Sequence, residues 1–80
     1  MKLQTSVEFE VWYQRQQLRF RAQIDARISR IEQHDHLGEW KYLGDGLSEL
    51  KWKSGLRIYF AKTGDKLILL LCGGMKNAQK

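Results

Sequence analysis

Hydrophobic and polar residues alternate in two adjacent segments of the chain, residues 49–52 and 56–60. Alternation with a period of two is typical of half-buried β-strands, so each segment predicts one strand. A glycine lies between the segments, which predicts that the two strands form a β-hairpin. Their apolar positions then share one face of the hairpin: Leu50, Trp52, Leu56, Ile58 and Phe60.

The length of the hairpin loop decides which residues face each other. A two-residue loop would bring Lys51 onto the apolar face. A three-residue loop that ends at Gly55, with this glycine in the left-handed conformation, pairs Trp52 with Leu56 and Lys51 with Arg57. We predict the three-residue loop, because it keeps every apolar residue of the hairpin on one face.

This register sets two cations, Lys51 and Arg57, directly opposite each other on the polar face. Directly opposed like charges destabilise a sheet by about 0.2–1 kcal/mol, so stability alone does not favour the pair. A phosphate group between the two side chains would favour it. A solvated cationic strand face is the alternative, because charged side chains are common on exposed strands.

Upstream of the hairpin the apolar residues recur with helical spacing. The segment 5–8, Thr-Ser-Val-Glu, matches a capping box and predicts a helix that begins there, after a short strand at residues 2–4. Phe9, Trp12 and Tyr13 give this helix an apolar stripe, in which Trp12 is expected to anchor the core. A second helix is predicted from Leu18 to Gln33, with this buried stripe: Phe20, Ile24, Ile28 and Ile31. The break near residues 16–17 predicts a helical hairpin.

A second stripe on this helix is polar and mostly basic. Its members are Arg19, Gln23, Arg27 and Arg30. We interpret it as a solvated face, because Asp25 and Glu32 partly offset its charge. A surface that follows a nucleic-acid backbone is the alternative.

The segment downstream of the hairpin completes the predicted fold. A two-residue loop at 64–65 pairs Phe60 with Leu69 and Ile58 with Leu71. The last strand, 67–72, is apolar on both faces, and the helices can cover only one of them. The element order predicts an α+β fold, β-α-α-β-β-β, with a helical hairpin packed on one face of a small, mainly antiparallel sheet. A further short strand is predicted around residues 40–42.

Composition limits the partners and the chemistry of this chain. Its 80 residues predict a single domain, 1–80, and its net charge of +5 favours an anionic partner, either a nucleic acid or an acidic protein. The longest apolar run, Leu67–Cys72, is too short to cross a membrane, and a lone cysteine suits a reducing cytoplasm. His34 and His36 have no nearby third ligand. We therefore predict no metal and no cofactor.

Two motifs carry a family resemblance: a Gly-x-Arg-apolar-Tyr strand at 55–59 and a Gly-Gly-x-Lys ending at 73–76. Together with the segment 43–50 and the element order, they make the whole chain resemble the RelE/ParE toxin superfamily. The closest likeness is to its HigB-like branch, the addiction module killer proteins. The loop at 53–55 is shorter than the glycine–proline loops of other members.

The resemblance implies the toxin of a bacterial type II toxin–antitoxin pair. RelE-like and HigB-like toxins cleave mRNA without a metal, commonly on the ribosome, whereas ParE-like toxins poison DNA gyrase. In the cleaving members an arginine after the turn supports the scissile phosphate, helped by lysines before the turn and a basic residue after the last strand. The matching residues here are Arg57, Lys51, Lys53 and Lys76.

Chemistry is consistent with these roles. The guanidinium of Arg57 offers a planar fork for phosphate oxygens, and Lys51 could hold a further oxygen. A lysine crowded by an arginine should release its proton more readily and act as a better base. No residue is assigned as the general acid. A gyrase inhibitor and an inactive basic binding module remain alternatives.

The resemblance also implies the partners. They are a cognate antitoxin, mRNA and the ribosome, all in the cytoplasm. Three arginines are predicted to contact ribosomal RNA or an acidic antitoxin: Arg19, Arg27 and Arg30. Relatives continue past the Gly-Gly-x-Lys ending into a helix, so this domain is expected to lack a C-terminal helix. The uncovered apolar strip would then favour a homo-oligomer or antitoxin docking; it comprises Ile68, Leu70 and Cys72.

Overall fold

The structure, a computed structural model, describes residues 1–64, 66–69 and 74–75. A first strand, β1 (Lys2–Thr5), is followed by two helices, α1 (Val7–Gln14) and α2 (Leu18–His34). Five strands follow: β2 (Trp40–Gly44), β3 (Leu47–Lys51), β4 (Leu56–Thr63), β5 (Lys66–Leu69) and β6 (Gly74–Met75). This confirms the predicted α+β class, with β2 as the additional short strand before the hairpin.

The described strands form one sheet in the order β1-β5-β4-β3-β2, and β6 pairs with β4 outside this path. Only β1 and β5 pair in parallel, so the sheet is mainly antiparallel, as predicted. The pairing of Phe60 with Leu69 is confirmed. The expected partner of Ile58, Leu71, lies outside the described residues. So does the uncovered face built on Ile68, Leu70 and Cys72, because the structure does not describe those side chains.

The core lies between the two helices and one face of the sheet. Its buried residues come from α1, α2, β3 and β4: Phe9, Ile24, Ile31, Leu50, Leu56, Ile58 and Phe60. Trp12, Phe20 and Ile28 are partly buried against this cluster, which confirms the apolar stripes of both helices. The helices also contact each other directly, since the Tyr13 hydroxyl donates a 2.6 Å hydrogen bond to Asp25 Oδ1.

The start of α1 differs from the prediction by one residue. Ser6, not Thr5, is the N-cap, and its Oγ accepts a 3.0 Å hydrogen bond from the backbone N–H of Phe9. Thr5 still belongs to β1, where it pairs with Leu69 of β5. The sheet therefore holds Thr5 in the strand, and Ser6, the residue that follows it, caps the helix.

Candidate functional site

The β3–β4 hairpin has the predicted three-residue loop and register. The backbone N–H of Trp52 donates to the carbonyl of Leu56 at 3.1 Å, and that of Gly55 donates to the carbonyl of Trp52 at 3.0 Å. Gly55 has a φ of 99°, which a residue with a side chain rarely adopts. Lys51 consequently pairs with Arg57 on the polar face.

Arg57 is folded onto the backbone of its own hairpin. Its Nη1 donates to the carbonyls of Leu56 at 2.8 Å and Trp52 at 3.0 Å. Its Nε lies 3.9 Å from Oε1 of Glu49, and the two side chains are only 12% and 15% exposed. Nη1 of the guanidinium is thus hydrogen-bonded to the hairpin loop, and the side that carries Nε faces a carboxylate.

The like-charge conflict expected between Lys51 and Arg57 is offset within the chain. Lys51 Nζ lies 4.0 Å from Oε2 of Glu39, while Arg57 has Glu49 beside it. Each cation therefore has a carboxylate near it, and no external anion is needed to offset the like charges of the pair. Lys51 thus meets a carboxylate as well as the arginine that it faces.

Glu49 is a site residue that sequence reasoning missed. It lies in β3 directly opposite Tyr59 and on the same face as Lys51 and Arg57. The signal was present, because alternation already placed Glu49 beside Lys51 on the polar face. What the pattern lacked was the diagonal approach of the Arg57 side chain, which follows from its hydrogen bonds to the loop.

Strand β6 lies beside the same site. Gly74 of β6 pairs with Arg57, and Met75 pairs with Leu56. Arg57 therefore lies between β3, which carries Lys51, and β6. Lys53 is exposed in the loop. Lys76 lies outside the described residues.

Arg27 differs from its predicted place on an exposed basic stripe. Its Nη2 donates to the carbonyl of Lys51 at 2.8 Å, and its Nη1 donates to the carbonyls of Leu37 at 3.1 Å and Glu39 at 3.3 Å. Its Cζ lies 4.2 Å from the centre of the Trp52 ring. Burial lowers the pKa of Arg27 from its ordinary value. The solvated-face interpretation is therefore wrong for Arg27, because this side chain joins α2 to the hairpin.

The other arginines of the stripe remain on the surface. Arg19 and Arg30 are exposed, and the Cζ of Arg19 lies 4.7 Å from the centre of the Phe20 ring. Gln23, between them, accepts a 3.2 Å hydrogen bond from the hydroxyl of Ser54 in the hairpin loop. The stripe thus divides into two exposed cations and two residues that hold the hairpin.

Among the described residues, no group of three or more His, Cys, Asp or Glu side chains could hold a metal ion. Asp35, between the two histidines, instead forms a 2.6 Å ion pair with the amino group of Met1. No helix in the described part of the chain is long and apolar enough to cross a membrane.

Comparison with known proteins finds a bacterial relative, and this chain belongs to the same family. The chain is similar to an uncharacterized protein of Haemophilus influenzae, with 35% identity over 82 residues that cover 99% of this chain and 82% of the relative. No protein-family model matches the chain. No solved structure matches it either.

Proposed function

We propose that this chain is a metal-independent endoribonuclease, the toxin of a bacterial type II toxin–antitoxin pair. The proposal extends to the family that it shares with the uncharacterized Haemophilus influenzae protein. The substrate would be mRNA on the ribosome, the partner a cognate antitoxin and the compartment the cytoplasm. The proposal rests on the resemblance of the hairpin and ending motifs and on the chemistry of the polar face around Arg57.

One observation carries the proposal: the side of the Arg57 guanidinium formed by Nε and Nη2 has no short hydrogen bond within the described residues. Nη1 bonds the loop carbonyls, whereas Nε meets Glu49 only at 3.9 Å. Hydrogen bonds between a guanidinium and a carboxylate are about 2.7–2.9 Å long. This side therefore holds its carboxylate loosely, and a phosphate could displace the carboxylate without breaking the bonds that fix the guanidinium.

The reaction would follow the usual course of RNA cleavage without a metal. The ribose 2′-hydroxyl attacks the neighbouring phosphorus and a cyclic phosphate forms, while the bond from phosphorus to the 5′-oxygen breaks. Once a phosphate has displaced Glu49 from Arg57, the Glu49 carboxylate could accept the 2′-hydroxyl proton. Arg57 and Lys51 would stabilise the charge that develops on the phosphate oxygens. The amine of Lys51, on the same face, would supply a proton to the leaving oxygen.

A second candidate, a gyrase inhibitor of the ParE type, is favoured by a different feature of the same site. Arg57 already bonds two loop carbonyls and faces Glu49, which is what a purely structural arginine would do. In that case the cationic pair stabilises the hairpin and takes no part in catalysis. An inactive basic module is the third candidate.

The test is expression of the chain in growing bacteria with three separate measurements: protein synthesis by pulse labelling, mRNA cleavage by primer extension, and a DNA-damage reporter. We expect arrested synthesis and discrete mRNA cuts without DNA damage. DNA damage without mRNA cuts would favour the gyrase candidate. Unchanged growth would favour the inactive module.

Two matched substitutions test the roles within the site. Glu49→Gln keeps the shape of the side chain but removes its charge, and we expect cleavage to fall by about 10²-fold or more, as expected on loss of a general base. Lys53→Ala should mainly weaken RNA binding and reduce its salt dependence, because Lys53 lies in the exposed loop. Both variants must unfold at the same urea concentration as the parent. Equal effects of the two substitutions on turnover would contradict the assigned roles.

A further inference from the structure

Strand β2 forms one edge of the sheet, and its outer side is unpaired within the described residues. The carbonyl of Glu39 accepts a hydrogen bond from Lys51 on β3 at 3.0 Å. Because alternate residues of an antiparallel pair exchange hydrogen bonds, the backbone groups of Trp40 and Tyr42 point away from β3. β2 therefore offers donors and acceptors to one further strand.

The side chains of β2 are unusual for an edge in contact with water. Trp40 is 47% exposed and Tyr42 is 59% exposed. Both lie on the helix-bearing face of the sheet, because they pair with Leu50 and Ser48. They border a groove of about 280 Å³ that the helices leave uncovered, and its lining includes Leu37, Trp40, Tyr42, Ser48, Phe60 and Lys62. The ring centres of Trp40 and Phe60 are 6.2 Å apart.

The positive charge near this edge argues against a second copy of the chain as its occupant. Between the two aromatic residues, Lys41 projects from the opposite face of β2, and Lys62 lies at the groove. A second copy of the chain, paired antiparallel about the middle of the exposed stretch, would set Lys41 against Lys41. It would also bring two chains of net charge +5 together. Directly opposed like charges destabilise a strand pair, and a lysine on an edge strand is a common protection against self-pairing.

We propose that β2 is the docking site for an extended segment of a partner protein, which adds to the sheet as a further strand. The segment would carry apolar residues opposite Trp40 and Tyr42, at the groove, and an acidic residue opposite Lys41. Addition of a strand takes affinity from backbone hydrogen bonds and specificity from alternate side chains. Lys41 pairs with Glu49 across β2 and β3, so this edge adjoins the polar face of the hairpin. Strand addition itself uses backbone groups of β2 and involves neither Arg57 nor Lys51, so peptide binding and RNA cleavage can be measured separately.

The register shift between Tyr42 and Gly44 limits the length of this site. A bulge interrupts regular pairing, so the added strand would be held mainly along Trp40–Tyr42. A short apolar–acidic–apolar motif is therefore the part of the partner that the edge would recognise.

The test uses dye-labelled peptides of eight residues with blocked ends, titrated into the full chain by fluorescence anisotropy. The probe alternates valine with glutamate. One comparison peptide has lysine in place of glutamate, and another has N-methyl groups on alternate residues, which remove the backbone donors. We expect the glutamate peptide alone to bind and to protect the amides of Trp40 and Tyr42 from hydrogen exchange.

A charge reversal provides the decisive control. Lys41→Glu should weaken binding of the glutamate peptide by about tenfold and improve binding of the lysine peptide. Lys2→Glu makes the same change at an exposed lysine of β1, the opposite edge of the described sheet, and should leave both affinities unchanged. Circular dichroism and urea unfolding check that both variants fold.

Four outcomes would overturn the proposal. One is equal binding of the N-methylated peptide, which would exclude strand addition. The second is equal weakening by the two charge reversals, which would indicate a general charge effect. The third is no binding of any of the peptides. The fourth is a mass in solution that doubles with concentration, with the amides of Trp40 and Tyr42 protected from hydrogen exchange in the larger species, which would assign the edge to a second copy.

Discussion

Arg27 should contribute more to the stability of this protein than any other surface-charged residue of α2. Its guanidinium donates hydrogen bonds to three backbone carbonyls. Two of them, those of Leu37 and Glu39, lie in the connection between α2 and β2. The third, that of Lys51, lies at the end of β3. It also covers Gly38, whose α-carbon could not carry a methyl group without coming within 3.0 Å of the Arg27 Cζ. One side chain thus fixes the helix, the connection and the hairpin to one another.

Replacement of Arg27 by methionine keeps the apolar stem and removes these bonds. A hydrogen bond from a charged donor contributes about 1.5–3 kcal/mol, and two of the three bonds are short and partly buried. The stack on Trp52 adds about 0.5–1 kcal/mol. Burial of the charge costs free energy, as the lowered pKa of Arg27 indicates, and water can reach some of the freed carbonyls. We expect a net loss of about 3 kcal/mol.

That loss is large for a chain of this size. At about 0.05–0.15 kcal/mol per residue, 80 residues give a free energy of unfolding of about 4–12 kcal/mol. Urea unfolding followed by circular dichroism measures the change. Arg30→Met is the matched control, because Arg30 is an exposed arginine on the same helix. It should shift stability by less than about 0.5 kcal/mol.

A conservative variant separates geometry from charge. Arg27→Lys keeps the positive charge but cannot hold three carbonyls with one planar group, so we expect an intermediate loss of about 1.5 kcal/mol. If Arg27→Met and Arg30→Met have equal stability, the bridging role is refuted. If Arg27→Met instead stays as stable as the parent and loses only RNA affinity, the direct nucleic-acid contact predicted from the arginine stripe is correct.

Two further predictions concern the start of the fold and its response to acid. Ser6→Ala should lower the free energy of unfolding by about 1 kcal/mol, because it removes the acceptor for the Phe9 N–H. Thr5→Ser keeps the hydroxyl that Thr5 donates to Glu10 and should cost less. Equal urea midpoints of the two variants would contradict the assignment of Ser6 as the cap. The hydrogen bond from the amino terminus lowers the pKa of Asp35 below its ordinary value of 3.8. The ion pair should therefore stabilise the fold above pH 3.8, and this stabilisation should disappear as the pH falls through the lowered pKa of Asp35. The stabilities of the parent and of Asp35→Asn should then converge at that acidic pH. A difference in stability that stays constant with pH would contradict the role of the ion pair.

The register of the hairpin was predictable because the alternation of apolar residues and the loop length both indicated the same pairing. Alternation defined the apolar face, and of the two loops considered only the three-residue loop kept Lys51 off that face. The observed pairing of Lys51 with Arg57 and the positive φ of Gly55 follow directly. The apolar stripe of α2 was predictable for the same reason, since Ile24 and Ile31 are both fully buried.

The place of Arg27 could not be settled from the stripe, although a signal was present. Arg27 lies three residues after Ile24 and four before Ile31, so it shares their side of the helix. A long side chain at such a position can extend to water or fold over the neighbouring backbone. The choice depends on whether carbonyls lie within reach. Those of Leu37 and Lys51 do so only after the chain has folded.

The same limit applies to Arg57, and it bears on the proposed function. Sequence reasoning placed this residue on a cationic face and inferred a phosphate from the unfavourable pair with Lys51. The structure supplies Glu39 and Glu49 as counter-charges, so the pair needs no phosphate for stability. A phosphate site is therefore favoured by the geometry of Arg57 and not by the charge of the pair. Two bonds from Nη1 fix the guanidinium plane, and the side formed by Nε and Nη2 meets Glu49 too loosely for a hydrogen bond. A phosphate that replaced Glu49 on that side would accept hydrogen bonds from Nε and Nη2 without disturbing the two bonds from Nη1.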